Sequence, residues 1–218
     1  MRPFGRYKYV GALGLGMDIL HAFADEGIES EALSAYGSVT RLGLDPKDSP
    51  YTDTLVKGDA RDVTFDRTFD LGLFHPPCQR WSKAAGEPIP REEKPNLVPI
   101  ARELGEAYCD NYIIENVTLC SELRDPITLR GNMFGLPIRY DRAFETSYHV
   151  EQPPLNGMIS DYKIGGNDTT QERGPSRRYD ADYWKSIKGY SGEYSSGMLR
   201  KTSVPRAYID YLIRPLLG

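Results

Sequence analysis

Cysteine and histidine are scarce in this sequence, which limits the redox and metal chemistry expected of it. The 218 residues include three of each. The thiols, at positions 78, 109 and 120, fit neither a disulfide framework nor a CxxC metal site. The histidines, at positions 21, 75 and 149, are scattered and have no carboxylate at metal-ligand spacing. We therefore expect reduced thiols and no bound metal.

Long apolar runs and an excess of positive charge are also missing. No run approaches the roughly 20 residues that span a bilayer, and the first residues lack the apolar core of a secretory signal. An intracellular protein without membrane association is therefore expected. The formal net charge of −4 argues against strong nonspecific binding to nucleic acid, which normally needs clustered Lys and Arg. Arg177 and Arg178, together with Arg200 and Lys201, form a local basic face in one interpretation and part of a solvated loop in another.

Short apolar segments alternate with helix-compatible ones along the chain. Apolar segments that end at a turn or a polar residue cover residues 39–44, 54–56, 70–74 and 112–114. An earlier apolar segment, residues 8–16, runs into glycines and precedes an expected helix over residues 17–26, and another helix is expected over residues 98–110. This order predicts an α/β fold, with a mostly parallel sheet and helices on both faces.

The length suits one well-buried domain, which we divide into three parts. Residues 1–145 contain the predicted sheet and form the expected catalytic and cofactor-binding part. Residues 146–196 are expected to be a small irregular insertion, because the sequence from about Pro153 is rich in Gly, Pro, Ser, Asp and Tyr. Residues 197–218 return to the first part and contain a helical pattern near the end of the chain.

Cys78 follows a predicted strand in the segment Pro76-Pro77-Cys78-Gln79. A lone cysteine after a strand is usually an inert core residue. This one stands among turn-forming and polar residues, and two prolines fix the backbone that precedes it. The pattern therefore favours a thiol that is presented at a defined place.

Glu115 also ends an apolar strand, in Ile113-Ile114-Glu115-Asn116-Val117. Taken alone, such a carboxylate is more often a cap or a solvent-facing residue. In an open α/β sheet, however, ligands bind outside the carboxyl ends of the strands, so Glu115 and Cys78 should meet in one crevice. Partial desolvation there would raise the pKa of Glu115 and let it donate a proton near neutral pH.

These two segments resemble the Pro-Cys-Gln and Glu-Asn-Val motifs of the cytosine-5 DNA methyltransferase family, in the family's order. The resemblance implies a Rossmann-like methyltransferase fold and S-adenosylmethionine as the cofactor. It also implies methyl transfer to carbon 5 of cytosine in DNA, as in restriction-modification and other DNA methylation, through a covalent Cys78 adduct at carbon 6 of a flipped base. Glu115, Arg142 and Arg139 would be the other catalytic residues. The arginines lie in a segment that resembles the family's Arg-x-Arg, although here two residues separate them.

The same resemblance implies a set of cofactor-binding residues. Residues 9–14 resemble the family's Phe-x-Gly-x-Gly-Gly loop, Asp45 falls where a carboxylate holds the ribose, and Gly58-Asp59 resembles the pair that faces the adenine. The closing Thr202-Ser203-Val204-Pro205 resembles the family's Asn-(Ala/Ser)-Val-Pro segment. The predicted cofactor-binding residues are Tyr9, Gly11, Ala12, Gly14, Asp45, Asp59, Ala60, Pro76, Ser203 and Val204.

The substrate is expected to be duplex DNA with its target cytosine rotated out of the stack. The chain has only residues 146–196 for the family's much longer target-recognition region, so sequence specificity should be short or absent. The predicted substrate-binding residues are Gln79, Arg80, Trp81, Ser82, Asn116, Arg177 and Arg178, of which Trp81 is also compatible with a place in the core. Two alternatives stay open: the same chemistry on RNA or a free cytosine nucleotide, and a catalytically degenerate relative that binds nucleic acid.

Overall fold

The computed structural model describes residues 16–82, 90–155 and 180–218. Within these residues the strands are β1 (Met17–Ala22), β2 (Gly37–Gly43), β3 (Thr54–Lys57), β4 (Phe69–Phe74), β5 (Cys109–Asn116), β6 (Ile127–Leu129) and β7 (Arg142–Thr146). The α-helices are α1 (Ser30–Leu33), α2 (Val98–Tyr108), α3 (Ala181–Lys188), α4 (Ser196–Lys201) and α5 (Arg206–Ile213). Short 3-10 turns lie at Arg91–Glu93, Gly131–Phe134 and Arg214–Leu217.

The described strands form one sheet in the order β3-β2-β1-β4-β5-β7-β6. The first five strands of this order pair in parallel, and β7 pairs antiparallel with both β5 and β6. This mixed, mostly parallel sheet confirms the predicted α/β fold class. The carboxyl ends of β1, β4 and β5 lie side by side at the centre of the sheet, where the site is expected.

Helices cover both faces of the sheet. Successive residues of the central strands point to opposite faces, so each strand contributes to both cores. Ile19 and Ile113 pack on one face with α1, α3, α4 and α5. Leu20 and Ile114 pack on the other face with α2. Burial on both faces explains why these strands are nearly continuously apolar instead of alternating with polar residues.

The first element was predicted wrongly. Residues 17–26 do not form a helix: Met17–Ala22 is the central parallel strand β1. Its short apolar run fits a buried strand as well as a helix by periodicity, and pairing with β2 and β4 decides between them. The predicted strand at residues 8–16 lies outside the described residues apart from Gly16. The loop at the carboxyl end of β1 is therefore residues 23–29, where Phe23 and Gly27 both have positive φ.

Part of the predicted irregular insertion is helical. Ala181–Lys188 forms α3, which begins at Asp180, whose side chain accepts a hydrogen bond from the Tyr183 amide, and ends at Gly189 with φ 79°. These are standard helix start and stop signals. Trp184 is buried in the core on one face of the sheet, and this packing holds α3 against the sheet. None of the helices in the described ranges is long and apolar enough to span a bilayer.

Candidate active site

Cys78 lies in a turn directly after β4. The amide of His75 continues the ladder beyond the strand by donating to the Ala22 carbonyl at 3.1 Å. The Cys78 carbonyl then accepts hydrogen bonds from the amides of Trp81 and Ser82 at 3.0 and 2.9 Å. The turn is thus anchored on both sides of Cys78, whose side chain is half-buried.

Asn116, at the end of β5, holds the same turn from the neighbouring strand. Its buried side-chain amide donates to the Pro76 carbonyl at 3.0 Å, and its side-chain oxygen accepts from the Val117 amide at 2.9 Å. Pro77 restricts the backbone of Pro76 to extended conformations, which limits the direction of this carbonyl. Asn116 therefore acts on Cys78 by positioning the backbone before it.

Glu115 is buried between the guanidinium of Arg142 and the imidazole of His75. Its Oε1 accepts from Arg142 Nε at 2.8 Å, and its Oε2 is 3.1 Å from His75 Nδ1. Burial by itself raises the pKa of Glu115, but the hydrogen bond with His75 and the charge of Arg142 outweigh it, and the pKa lies below its ordinary value. The expectation of a raised pKa was wrong, because these partners lie closer than the sequence could indicate.

Arg142, the first residue of β7, interacts with this carboxylate and with Tyr140. Its guanidinium donates to the Tyr140 hydroxyl at 2.9 Å and lies over the Tyr140 ring, 4.4 Å from the centroid. Burial opposes its charge, but Tyr140, Glu115 and Cys78 together raise the pKa of Arg142. Arg139 forms its ion pair with Asp141 at 3.8 Å. Of the two predicted arginines, Arg142 is the one that contacts Glu115.

Lys188 places a buried side-chain nitrogen against the Tyr140 ring. Its Nζ lies 3.6 Å from the centroid of the Tyr140 ring and donates to the Ser203 carbonyl. Burial and the nearby charge of Arg142 hold the pKa of Lys188 well below its ordinary value. Lys188 ends α3 in the segment predicted to be irregular, so nothing in the sequence connected it with the site.

The predicted cofactor carboxylates stand after the carboxyl ends of β2 and β3. Asp45 is exposed and pairs with Lys57 at 2.6 Å, and Asp59 accepts from Arg61 through both side-chain oxygens. The hydrogen bonds from Arg61 lower the pKa of Asp59 to about 2. Ala60 is half-buried in the turn that follows Asp59. Both carboxylates are thus ionised, and they lie at the same edge of the sheet as Cys78.

The closing segment of the chain packs against the loop after β1. The Val204 amide donates to Glu29 Oε1 at 2.7 Å, and the Ser203 hydroxyl donates to the Leu199 carbonyl at 2.8 Å. Both residues are buried. The structure therefore brings Ser203 and Val204 to the end of the central strand. Tyr9, Gly11, Ala12 and Gly14 lie outside the described residues.

The predicted substrate-binding residues after Cys78 differ in their surroundings. Gln79 is exposed, whereas Trp81 packs in the core on the α2 face, as the alternative interpretation allowed. Arg80 donates to the carbonyls of Glu92 and Lys94 at 3.0 and 2.9 Å, and Ser82 is half-buried. Arg177 and Arg178 lie outside the described residues.

Four side chains near this site were missed in the sequence: His21, His75, Tyr140 and Lys188. His75 follows the strand that precedes Cys78, so the strand-end rule that found Glu115 could have found it too. His21 was hidden in the segment that was predicted to be a helix. Tyr140 lies between the two predicted arginines and had no signal of its own.

No protein-family model matches this chain, and no curated protein sequence matches it either. Among solved structures, it is similar to an E. coli chain described as a DNA modification methyltransferase encoded within a prophage, with 15% identity and a TM-score of 0.47. That match covers 67% of this chain, which spans about half (53%) of the other. DhpI in complex with SAH is 18% identical, with 64% of each chain covered and a TM-score of 0.31. Likeness at this level carries no information about chemistry, which has to be derived from the side chains.

Proposed function

We propose that this chain is an S-adenosylmethionine-dependent methyltransferase that modifies carbon 5 of cytosine in DNA, with Cys78 as the nucleophile. The observation that carries the proposal is the arrangement of the Cys78 thiol, the Glu115 carboxylate and the Arg142 guanidinium. They lie after β4, near the end of β5 and at the beginning of β7. Glu115 and Arg142 are joined at 2.8 Å, and the charge of Arg142 interacts with Cys78. A nucleophile beside a fixed cation, with a buried carboxylate alongside, suits covalent addition to a polar ring.

The described residues divide the proposed chemistry among them. Carbon 5 of cytosine is a weak nucleophile until a thiolate adds to carbon 6. The Cys78 thiolate forms this bond while ring nitrogen 3 gains a proton at Glu115. Carbon 5 would then take the methyl group as that group's bond to the cofactor sulfonium breaks, and would lose its own proton to water. Breaking of the bond between the Cys78 sulfur and carbon 6 would then release Cys78 as a thiolate. Arg142 keeps the thiolate charged and directs Glu115, and Asn116 fixes the turn that carries the sulfur.

The geometry of Glu115 refines this proposal. It accepts charge-assisted hydrogen bonds from Arg142 and engages His75, which is the environment of an ionised carboxylate. Glu115 therefore does not store the proton in the free protein. The proton that ring nitrogen 3 gains therefore has to reach Glu115 as the base binds.

The carboxyl edge of the sheet suits the proposed cofactor, whose positively charged sulfur supplies the methyl group. Asp45 would hold the ribose hydroxyls and Asp59 the adenine amino group. Their present partners, Lys57 and Arg61, form exposed ion pairs, which are weak and cost little to exchange. We assign the loop at residues 23–29 to the methionine part, because this loop follows β1 and is held by the closing segment at Val204.

The test of the proposed function is transfer of radiolabel from methyl-labelled S-adenosylmethionine to four substrates: duplex DNA, single-stranded DNA, RNA and free cytidine triphosphate. Label in DNA that is recovered as 5-methylcytosine after hydrolysis supports the proposal. If only RNA or only the free nucleotide becomes labelled, that molecule and not DNA is the substrate. Cofactor binding without transfer to any of the four would contradict an active enzyme and favour a degenerate relative.

Glu115→Gln is expected to lower the rate of methyl transfer by about 10²- to 10⁴-fold, the usual contribution of a positioned acid or base. The substitution keeps the size of the side chain but removes the charge between His75 and Arg142. Cofactor affinity should change little, because Glu115 faces the base. The rate is measured in single turnover with saturating cofactor, and the control is Glu103→Gln, an exposed residue on α2. Equal rates of methyl transfer for Glu115→Gln and Glu103→Gln would show that Glu115 has no part in the reaction.

A further inference from the structure

His21, Glu29 and His75 form a second cluster next to the proposed active site. They come from β1, from the loop after it and from the turn before Cys78. The ligand atoms that they offer lie within 4.8 Å of one another. The two imidazole rings meet edge to face, with centroids 5.2 Å apart. Parallel pairing of β1 with β4 brings the two histidines together although they are distant in sequence.

The hydrogen bonds of the two histidines leave the same nitrogen available in each. His21 Nδ1 lies 2.9 Å from the Ser30 hydroxyl, and His75 Nδ1 lies 3.1 Å from Glu115. Both Nε2 atoms are buried and have no hydrogen-bond partner within residues 16–82, 90–155 and 180–218. A metal-binding histidine commonly has this arrangement, in which Nδ1 is held by a carboxylate or another oxygen and Nε2 coordinates.

Two buried ring nitrogens without partners are costly in a folded protein. They therefore indicate a missing ligand. Glu29 supplies a negative charge beside them: the Val204 amide bonds to its Oε1, and a carboxylate oxygen can accept more than one such interaction. Two neutral imidazoles and a carboxylate are a ligand set that selects divalent transition metals.

We propose that His21, Glu29 and His75 bind one divalent first-row transition metal ion, represented by Zn²⁺, through both Nε2 atoms and the Glu29 carboxylate. Arg41 and Arg142 carry nearby positive charge that opposes a cation, while Glu115 and Glu29 carry the negative charge that favours one. The ion ties the loop after β1 to the turn that carries Cys78. It also keeps His75 in the tautomer that donates Nδ1–H to Glu115.

The test measures metal binding directly and needs no methyl transfer, so its failure is distinct from failure of the proposed function. The full chain is stripped with a chelator and titrated with Zn²⁺ by calorimetry and with Co²⁺ by visible absorption. We expect one ion per chain, Co²⁺ bands of a mixed nitrogen and oxygen site, and a Zn²⁺-dependent rise in melting temperature. His21→Gln should abolish all three, while the control His149→Gln, an exposed histidine, should leave them unchanged.

Ser30→Ala provides a second variant that keeps all three ligands. It removes only the hydroxyl that orients His21, and outer-shell changes of this kind weaken metal affinity by about 10- to 100-fold. A folded Ser30→Ala protein with unchanged Zn²⁺ affinity would overturn the proposal. So would absence of stoichiometric binding to the wild type, or binding that survives His21→Gln, since the ion would then occupy another site.

Discussion

Replacing Cys78 with Ser is expected to reduce methyl transfer to DNA by about a thousandfold or more, as loss of a nucleophile does in other covalent enzymes. A serine hydroxyl at this place is far less nucleophilic at neutral pH than a thiolate. Arg142, which stabilises a thiolate by its charge, does nothing to deprotonate an alcohol. The measurement is the initial rate of label transfer at saturating cofactor and DNA.

The matched control for this substitution is Cys109→Ser. Burial, together with the charge of Asp110, raises the pKa of the Cys109 thiol to about 12, so this cysteine is unreactive at neutral pH. Cys109 also lies at the beginning of β5, at the opposite end of that strand from Glu115. Transfer by Cys109→Ser should stay near the wild-type rate. Equal loss in the two variants would show that Cys78→Ser acts through folding rather than chemistry.

Arg102→Met is expected to lower the free energy of unfolding by about 3–5 kcal/mol, the cost of leaving a buried charge without its partner. Arg102 on α2 and Glu145 on β7 form a two-pronged pair, with Nε to Oε1 and Nη2 to Oε2 both at 2.7 Å. Both side chains are less than a tenth exposed. Glu145 also accepts from the Arg124 amide at 2.7 Å, so its charge is fixed in place when the guanidinium is removed.

Urea unfolding with linear extrapolation measures this effect. The control is Glu106→Gln, which breaks an exposed pair with Arg124 at 3.7 Å and should cost less than about 1 kcal/mol. The double variant Arg102→Met with Glu145→Leu should recover part of the loss, because an apolar pair of similar volume often replaces a buried ion pair without penalty. If Arg102→Met and Glu106→Gln lower the free energy of unfolding by the same amount, the Arg102–Glu145 pair does not stabilise the packing of α2 on the sheet.

The positions of Cys78 and Glu115 were predictable because each depends on a local rule. A short apolar run followed by a polar residue marks the carboxyl end of a parallel strand, and parallel strands end at the same edge. Helix α2 was likewise visible from its own apolar periodicity. The structure confirms the strand ends before Cys78 and near Glu115, and it confirms helix α2.

The errors occurred where distant segments decide the structure. Met17–Ala22 is a strand only because β2 and β4 pair with it, and a six-residue apolar run does not reveal its partners. His21, Glu29 and His75 also come together only through the pairing of β1 with β4, which their spacing along the chain could not show. Helix α3 was a different kind of error, since Asp180 and Gly189 were available as start and stop signals.

The most direct test of the central claim is capture of the covalent intermediate on duplex DNA that contains 5-fluorocytosine. Fluorine at carbon 5 cannot leave as a proton, so the bond between the nucleophile and carbon 6 cannot break after the methyl group has been added. We expect a complex of one chain with one DNA that survives denaturing electrophoresis, requires S-adenosylmethionine and maps by mass spectrometry to the peptide containing Cys78. Efficient methyl transfer to ordinary DNA without any such complex, or a complex that maps to Cys109 or Cys120, would contradict the account.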